Sequence, residues 1–170
     1  MRIDYTEVKN RAKFFGEKIF GFKVIPKIVL LTDSRMEQEL KEYAQATQVF
    51  KKRDTPIYGY FSSISELGTG EEDECRIAVN RTMCKSILDI DAVLIHELCH
   101  YSLWWQGLEY HDGEVDFERK LKELGLNSNY RHLYINGKSI HLLGDEHRLF
   151  EYEEMYQNSL HSTKQGGQTA

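Results

Sequence analysis

Apolar residues recur at three- and four-residue intervals in the first part of the chain. Val8, Ala12, Phe15 and Ile19 in "YTEVKNRAKFFGEKIF" would share one face of a helix over 5–20, and Gly21 would stop it. The continuous apolar run "KIVLLT" (27–32), entered from Pro26, predicts a buried strand. Asp33 or Ser34 can cap a second helix reaching about Thr47, with Met36, Leu40, Tyr43 and Ala44 on one side. "IYGYFSS" (57–63) and "CRIAVN" (75–80) read as strands, separated by the acidic, glycine-bearing loop "ELGTGEEDE" (66–74). A long apolar helix then spans about 89–107, with Asp89 or Asp91 near its positive end and Gly107 ending it. "EVDFERKLKELG" (114–125) predicts a fourth helix, stopped by Gly125. "HLYIN" and "SIHLL" form a hairpin across Asn136-Gly137, a helix covers 145–157, and the polar end frays.

This order of elements predicts an α+β fold, a small sheet packed against helices, as one domain over 1–160 followed by a tail at 161–170. The 170 residues suffice for one real core and no internal repeat divides them. A hydrophobic content of 41% with 12% aromatics belongs to a folded rather than a disordered chain.

Charge narrows the choice of partners. A net charge of −5 supplies no global positive field for nucleic acid or an anionic membrane. The basic run Lys51-Lys52-Arg53 reads as a solvated turn. No apolar run approaches the ~20 residues of a membrane span, and "MRIDYTEVKN" lacks the apolar core of a secretory signal. Cys75, Cys84 and Cys99 are odd in number and form no CxxC pair, which points to a reducing compartment, the cytoplasm.

The chemistry concentrates in "LIHELCHYSLWW" (94–105). On a helix His96 and His100 project from one face a turn apart and can offer two imidazole nitrogens to one ion at about 2.0–2.1 Å. Glu97, about 100° around the helix, flanks that ion and can take a proton from a zinc-bound water whose pKa is lowered towards ~7. This is the physical content of H-E-x-x-H. Chance yields such a match in this chain at odds on the order of a few per cent. Ala92, Val93, Leu94, Ile95 and Leu98 surround the motif, and burying two imidazoles and a carboxylate among them is costly unless something satisfies them. Cys99 faces away and reads as core, and Tyr101, Trp104 and Trp105 read as core aromatics.

A catalytic zinc site takes a third protein ligand. A third histidine six residues after His100 is excluded, because that position is Gln106. Gly107 turns the chain back, so the ligand comes from 108–118, which holds Glu109, His111, Asp112, Glu114, Asp116 and Glu118. His111 and Asp112 are both legitimate zinc ligands.

"HELCHYSLWWQGLEYHDGEVDFERKLKELG" resembles the SprT-like family of zinc metallopeptidase domains, which includes the bacterial SprT proteins and the eukaryotic Spartan protease. The likeness lies in the HELCHY core, the glycine seven residues on and the aromatic Phe117. With "YGYFSS" and "CRIAVN" upstream it covers about residues 57–125. The resemblance implies a zincin-like fold with an HExxH active-site helix, zinc on His96 and His100, and Glu97 as catalytic acid/base. Counting back from Phe117, the register of the family's third ligand favours Asp112, whereas ligand chemistry favours His111. "YxDGxxxFE" is similar to the shorter phage- and Gram-positive-type members. The zinc ribbon of many relatives is missing, since no cysteine follows residue 100. His132, His141 and His147 match no ribbon spacing and read as surface or hairpin residues, the alternative being that His141 or His147 folds back onto the metal.

These readings predict a zinc-dependent peptidase acting on protein substrates, with Tyr110, Tyr130 and Arg131 as candidate oxyanion donors. The resemblance adds DNA-associated proteins as substrates, although the chain is acidic and carries no recognisable DNA-binding module. Two alternatives share the motif. One is a catalytically silent, metal-stabilised binding or regulatory module on the same fold. The other is a zincin of the regulator-cleaving type found beside mobile-element repressors.

Overall fold

In the computed structural model, residues 4–47, 57–63, 75–127, 133–135, 138–140 and 143–165 are described. Helix α1 (Tyr5–Phe20) begins where the Asp4 side chain accepts the Thr6 N–H at 3.0 Å. It ends at Gly21, whose φ of 73° allows the Phe22 N–H to reach back to the Gly16 carbonyl at 2.9 Å. Val8, Ala12 and Phe15 are fully buried, as their spacing requires, and Ile19 is half-buried.

Strand β1 (Lys27–Leu31) leads into α2 (Asp33–Thr47), which buries Met36 and leaves Tyr43 exposed, so its apolar face is narrower than the sequence suggests. Strands β2 (Gly59–Ser62) and β3 (Arg76–Asn80) complete a mixed sheet in the order β1-β3-β2. The central strand β3 runs parallel to β1 and antiparallel to β2. Ile77, Ala78 and Val79 are all fully buried, the continuous apolar signature of a strand covered on both faces. Asn80 ends β3 inside the protein, where its amide donates to Asp33 and to the Ile57 carbonyl, each at 2.8 Å, and its oxygen accepts from Thr82 and Met83.

Helix α3 (Ile87–Trp105) starts on a capping box in which Ser86 and Asp89 satisfy each other's backbone N–H groups. Ile90, Ala92, Val93, Leu94, Ile95, Leu98 and Cys99 are all buried, so this helix is apolar almost all round and lies within the core. Helix α1 packs on one side of it and β2, β3 on another. Helix α4 (Val115–Leu124) adds Phe117, Leu121 and Leu124 to the same core and stops at Gly125, φ 71°. Strands β4 (Leu133–Ile135) and β5 (Lys138–Ile140) pair antiparallel as the expected hairpin, while Asn136-Gly137 lie outside the described residues.

Helix α5 (Glu146–Gln165) closes the described chain, burying Leu149, Tyr152 and Tyr156 against α1 and α3. It runs well past the expected end at 157 and into the segment assigned to the tail. Residues 166–170 lie outside the described residues, as do the acidic loop 66–74 and Lys51-Lys52-Arg53. Among the described residues, five helices and the three-stranded mixed sheet make an α+β fold, and no helix is long and apolar enough to cross a membrane.

Candidate metal centre

His96, Glu97 and His100 lie in the middle of α3, the most buried helix of the fold. The two imidazole rings are 5.0 Å apart between centroids and share one helix face. Ligand atoms of His96, Glu97 and His100 all fall within 4.8 Å of one another. Glu97 is buried (4% exposed) and its Oε2 is 3.8 Å from His100 Nε2.

The connection from α3 to α4 brings the third group. Gly107 (φ 67°) turns the chain out of α3, and the Leu108 N–H returns to the Leu103 carbonyl at 3.0 Å. Gly113 (φ 89°) turns it again, with its N–H on Glu118 at 2.9 Å. Between the two turns Asp112 points back at α3. Its Oδ1 is 3.2 Å from His96 Nε2 and its Oδ2 is 3.8 Å from His100 Nε2.

Asp112, rather than His111, is thus brought against the imidazole pair. His111 is exposed, its ring lies 4.1 Å from Tyr110, and its backbone N–H is held by Glu114 at 2.7 Å. The remaining acids of the window have other partners. Glu109 accepts from the Val115 N–H, Glu114 and Glu118 take the turn N–H groups already named, and Asp116 pairs with Arg119.

Orientation of His100 is fixed from three sides. Its Nδ1 hydrogen-bonds the Tyr110 carbonyl, which can only accept, so Nδ1 carries the proton and Nε2 presents a lone pair towards Asp112. Phe117 stacks on the ring at 4.0 Å with an interplanar angle of 11°, and Phe61 from β2 lies parallel on it at 6.4 Å. Phe117 also meets His96 edge-on at 5.2 Å.

Burial, together with the neighbouring His96, pushes the His100 pKa down to about 3, so its imidazole is neutral. At His96 burial pulls the pKa down, but the hydrogen bond to Asp112 and the charges of Glu97, Asp112 and Glu118 outweigh it and the net shift is upward. The two imidazoles and two carboxylates together attract positive charge to the space between them. A neutral Nε2 lone pair, a second imidazole and a carboxylate within 3.8 Å suit a divalent cation of zinc type, so the residues fit such a group.

Strand β2 passes α3 at this point. A Cβ built on Gly59 would lie 2.5 Å from Val93 Cγ1, 2.9 Å from the Ala78 carbonyl oxygen and 3.1 Å from Glu97 Oε1. Only a glycine lets the strand approach the Glu97 carboxylate this closely. The signal is present in the sequence as a glycine inside a strand pattern, between Tyr58 and Tyr60. The roles of Phe61 and of the Tyr110 carbonyl have no such signal.

Other candidates fall elsewhere. Cys99 is fully buried in the core, as expected. Tyr101 is buried and Trp104 half-buried, but Trp105 is 63% exposed because α3 ends there and the chain turns away beneath it. His147 stands on α5 with its side chain 86% exposed, 3.5 Å from Glu151, and does not fold back onto the imidazole pair. The Tyr110 ring packs edge-on against Phe61. Tyr130, Arg131, His132 and His141 lie outside the described residues. Compared with models of protein families, with curated proteins and with solved structures, the chain matches none.

Proposed function

We propose that the protein is a zinc-dependent metallopeptidase of SprT-like type, hydrolysing peptide bonds of protein substrates at the His96–Glu97–His100 helix. One observation carries the reading. Two imidazoles and the Asp112 carboxylate converge from two elements on one point, with a buried glutamate beside them. His96, His100 and Asp112 would hold the ion. A bound zinc supplies Lewis acidity, activating water and polarising the scissile carbonyl.

The chain's own residues do the rest. Glu97 accepts a proton from the attacking water and hands it to the nitrogen of the departing amine. Its burial beside Val93 and β2 keeps that carboxylate out of bulk water and in one place. Tyr110, through its carbonyl, and Phe117, through its ring, hold His100 in the orientation that ligation needs. Among the described residues β2 is an outer strand of the sheet and passes Glu97, so an extended peptide laid along it would lie close to the chemistry. The family likeness of residues 57–125 supports the same reading.

Glu97→Gln tests it. The variant should keep the metal content of the parent and cleave a denatured protein such as casein about a hundred- to ten-thousand-fold more slowly. Cleavage at the parent's rate would remove Glu97 from the mechanism. A parent that binds metal stoichiometrically and cleaves nothing would favour the silent binding module instead.

A further inference from the structure

Arg11 projects from α1 into the interior and is 2% exposed. Its Nη1 donates to both oxygens of Asp91 on α3, at 2.9 and 3.1 Å, and to Glu153 on α5. Nη2 reaches the other Glu153 oxygen at 3.3 Å, and Nε donates to Glu7 at 2.9 Å. The Tyr156 ring lies 4.2 Å from the guanidinium, and its hydroxyl donates to Glu7 at 3.2 Å. One cation therefore faces three carboxylates where α1, α3 and α5 meet.

The charges do not balance if all three are ionised. Asp91 is fully buried, and its carboxylate and that of Glu153 both accept from the one Arg11 nitrogen, Nη1. Two ionised carboxylates crowded on one nitrogen repel each other, and a proton on one of them removes that repulsion and supplies a donor to the other. We propose that Asp91 and Glu153 share one proton beside Arg11, making this cluster a pH-dependent latch that fastens α5 to α1 and α3 and loosens it when the proton leaves.

Asp91 is the holder. Burial raises its pKa to about 7 against the opposing pull of Arg11. For Glu153, burial is outweighed by hydrogen bonds from Arg11 and Gln157, which keep its pKa below the usual carboxylate range. The groups facing Asp91 are Arg11 and Glu7 from α1 and Glu153 and Tyr156 from α5. On α3 itself, Asp89 is committed to the backbone N–H groups of Lys85 and Ser86. An acid whose folded pKa lies above its unfolded value stabilises the fold fully below the unfolded value. That contribution is lost as pH rises through the folded one. The latch therefore holds tightest in acid, loosens as pH rises from the ordinary carboxylate range to about 7, and is loosest above it.

Hydrogen exchange of the full chain, corrected for the intrinsic pH dependence of exchange, tests this without reference to peptidase activity. Between pH 4.5 and 8.5 the protection of α5 amides should fall by up to about tenfold per pH unit as pH rises to about 7 and level off above it, while protection of β3 stays constant. Asp91→Asn supplies a permanent donor to Glu153 and should abolish the slope. Glu153→Gln does the same from the other side and serves if the first variant fails to fold. A flat profile in the parent, an equal fall in β3, or the parent's slope surviving in either folded variant would overturn the latch.

Discussion

Gly59→Ala probes the contact between the sheet and α3 with a single methyl group. The new Cβ would lie 2.5 Å from Val93 Cγ1 and 2.9 Å from the Ala78 carbonyl oxygen, both well inside van der Waals contact. Neither neighbour yields easily, since valine has one stiff torsion and the carbonyl belongs to the central strand. Overpacking of this kind costs about 1–3 kcal/mol, offset by roughly 0.4–1 kcal/mol from the stiffer unfolded chain. Two contacts this short put the cost in the upper half of that range, so the net loss is about 1–2.5 kcal/mol. For a chain of this length each kcal/mol moves the thermal midpoint by about 2–4 °C, so the midpoint should fall by roughly 2–10 °C.

The methyl also meets Glu97 Oε1 at 3.1 Å, so the carboxylate must shift. The proposed catalysis then loses kcat while metal content stays that of the parent. Adding Val93→Ala removes the tightest contact and should return part of both losses, though not all, because the Ala78 carbonyl remains. Thermal scans, metal analysis and steady-state proteolysis read the three effects. A Gly59→Ala protein with the parent's midpoint and kcat would refute the argument that the strand touches Glu97.

Two further substitutions separate site from scaffold. Phe117→Ala removes a fully buried ring stacked on His100 and should cost about 3–5 kcal/mol and weaken metal binding in a chelator competition, whereas Phe117→Leu retains most of both. Asn80→Ala strands the groups its amide satisfies and should cost about 2–4 kcal/mol, lowering the urea midpoint with metal content unchanged.

Periodicity made most of the helices legible. Val8, Ala12 and Phe15 define α1 to the residue, and the run around Ala92–Leu98 marks α3 as the core helix. The pair His96 and His100, with Glu97 beside it, follows from helical geometry alone. The choice between Asp112 and His111 does not, because adjacent residues on a turn point in different directions and the direction depends on two positive-φ glycines, Gly107 and Gly113. The burial of Arg11 was equally hidden. It sits among the charged positions of α1, and the carboxylates of Asp91 and Glu153, far away in sequence, help make its burial tolerable. Trp105 misled in the opposite sense, since its hydrophobic character says nothing about where the covering chain ends.

The central claim is that His96, His100 and Asp112 grip one ion. Metal analysis of protein purified without chelator tests it directly. The account predicts one zinc-class ion per chain in the parent and in His111→Ala, and far less than one in His96→Ala, His100→Ala and Asp112→Ala. A parent that carries no stoichiometric metal, or an Asp112→Ala variant that keeps all of it, would contradict the account.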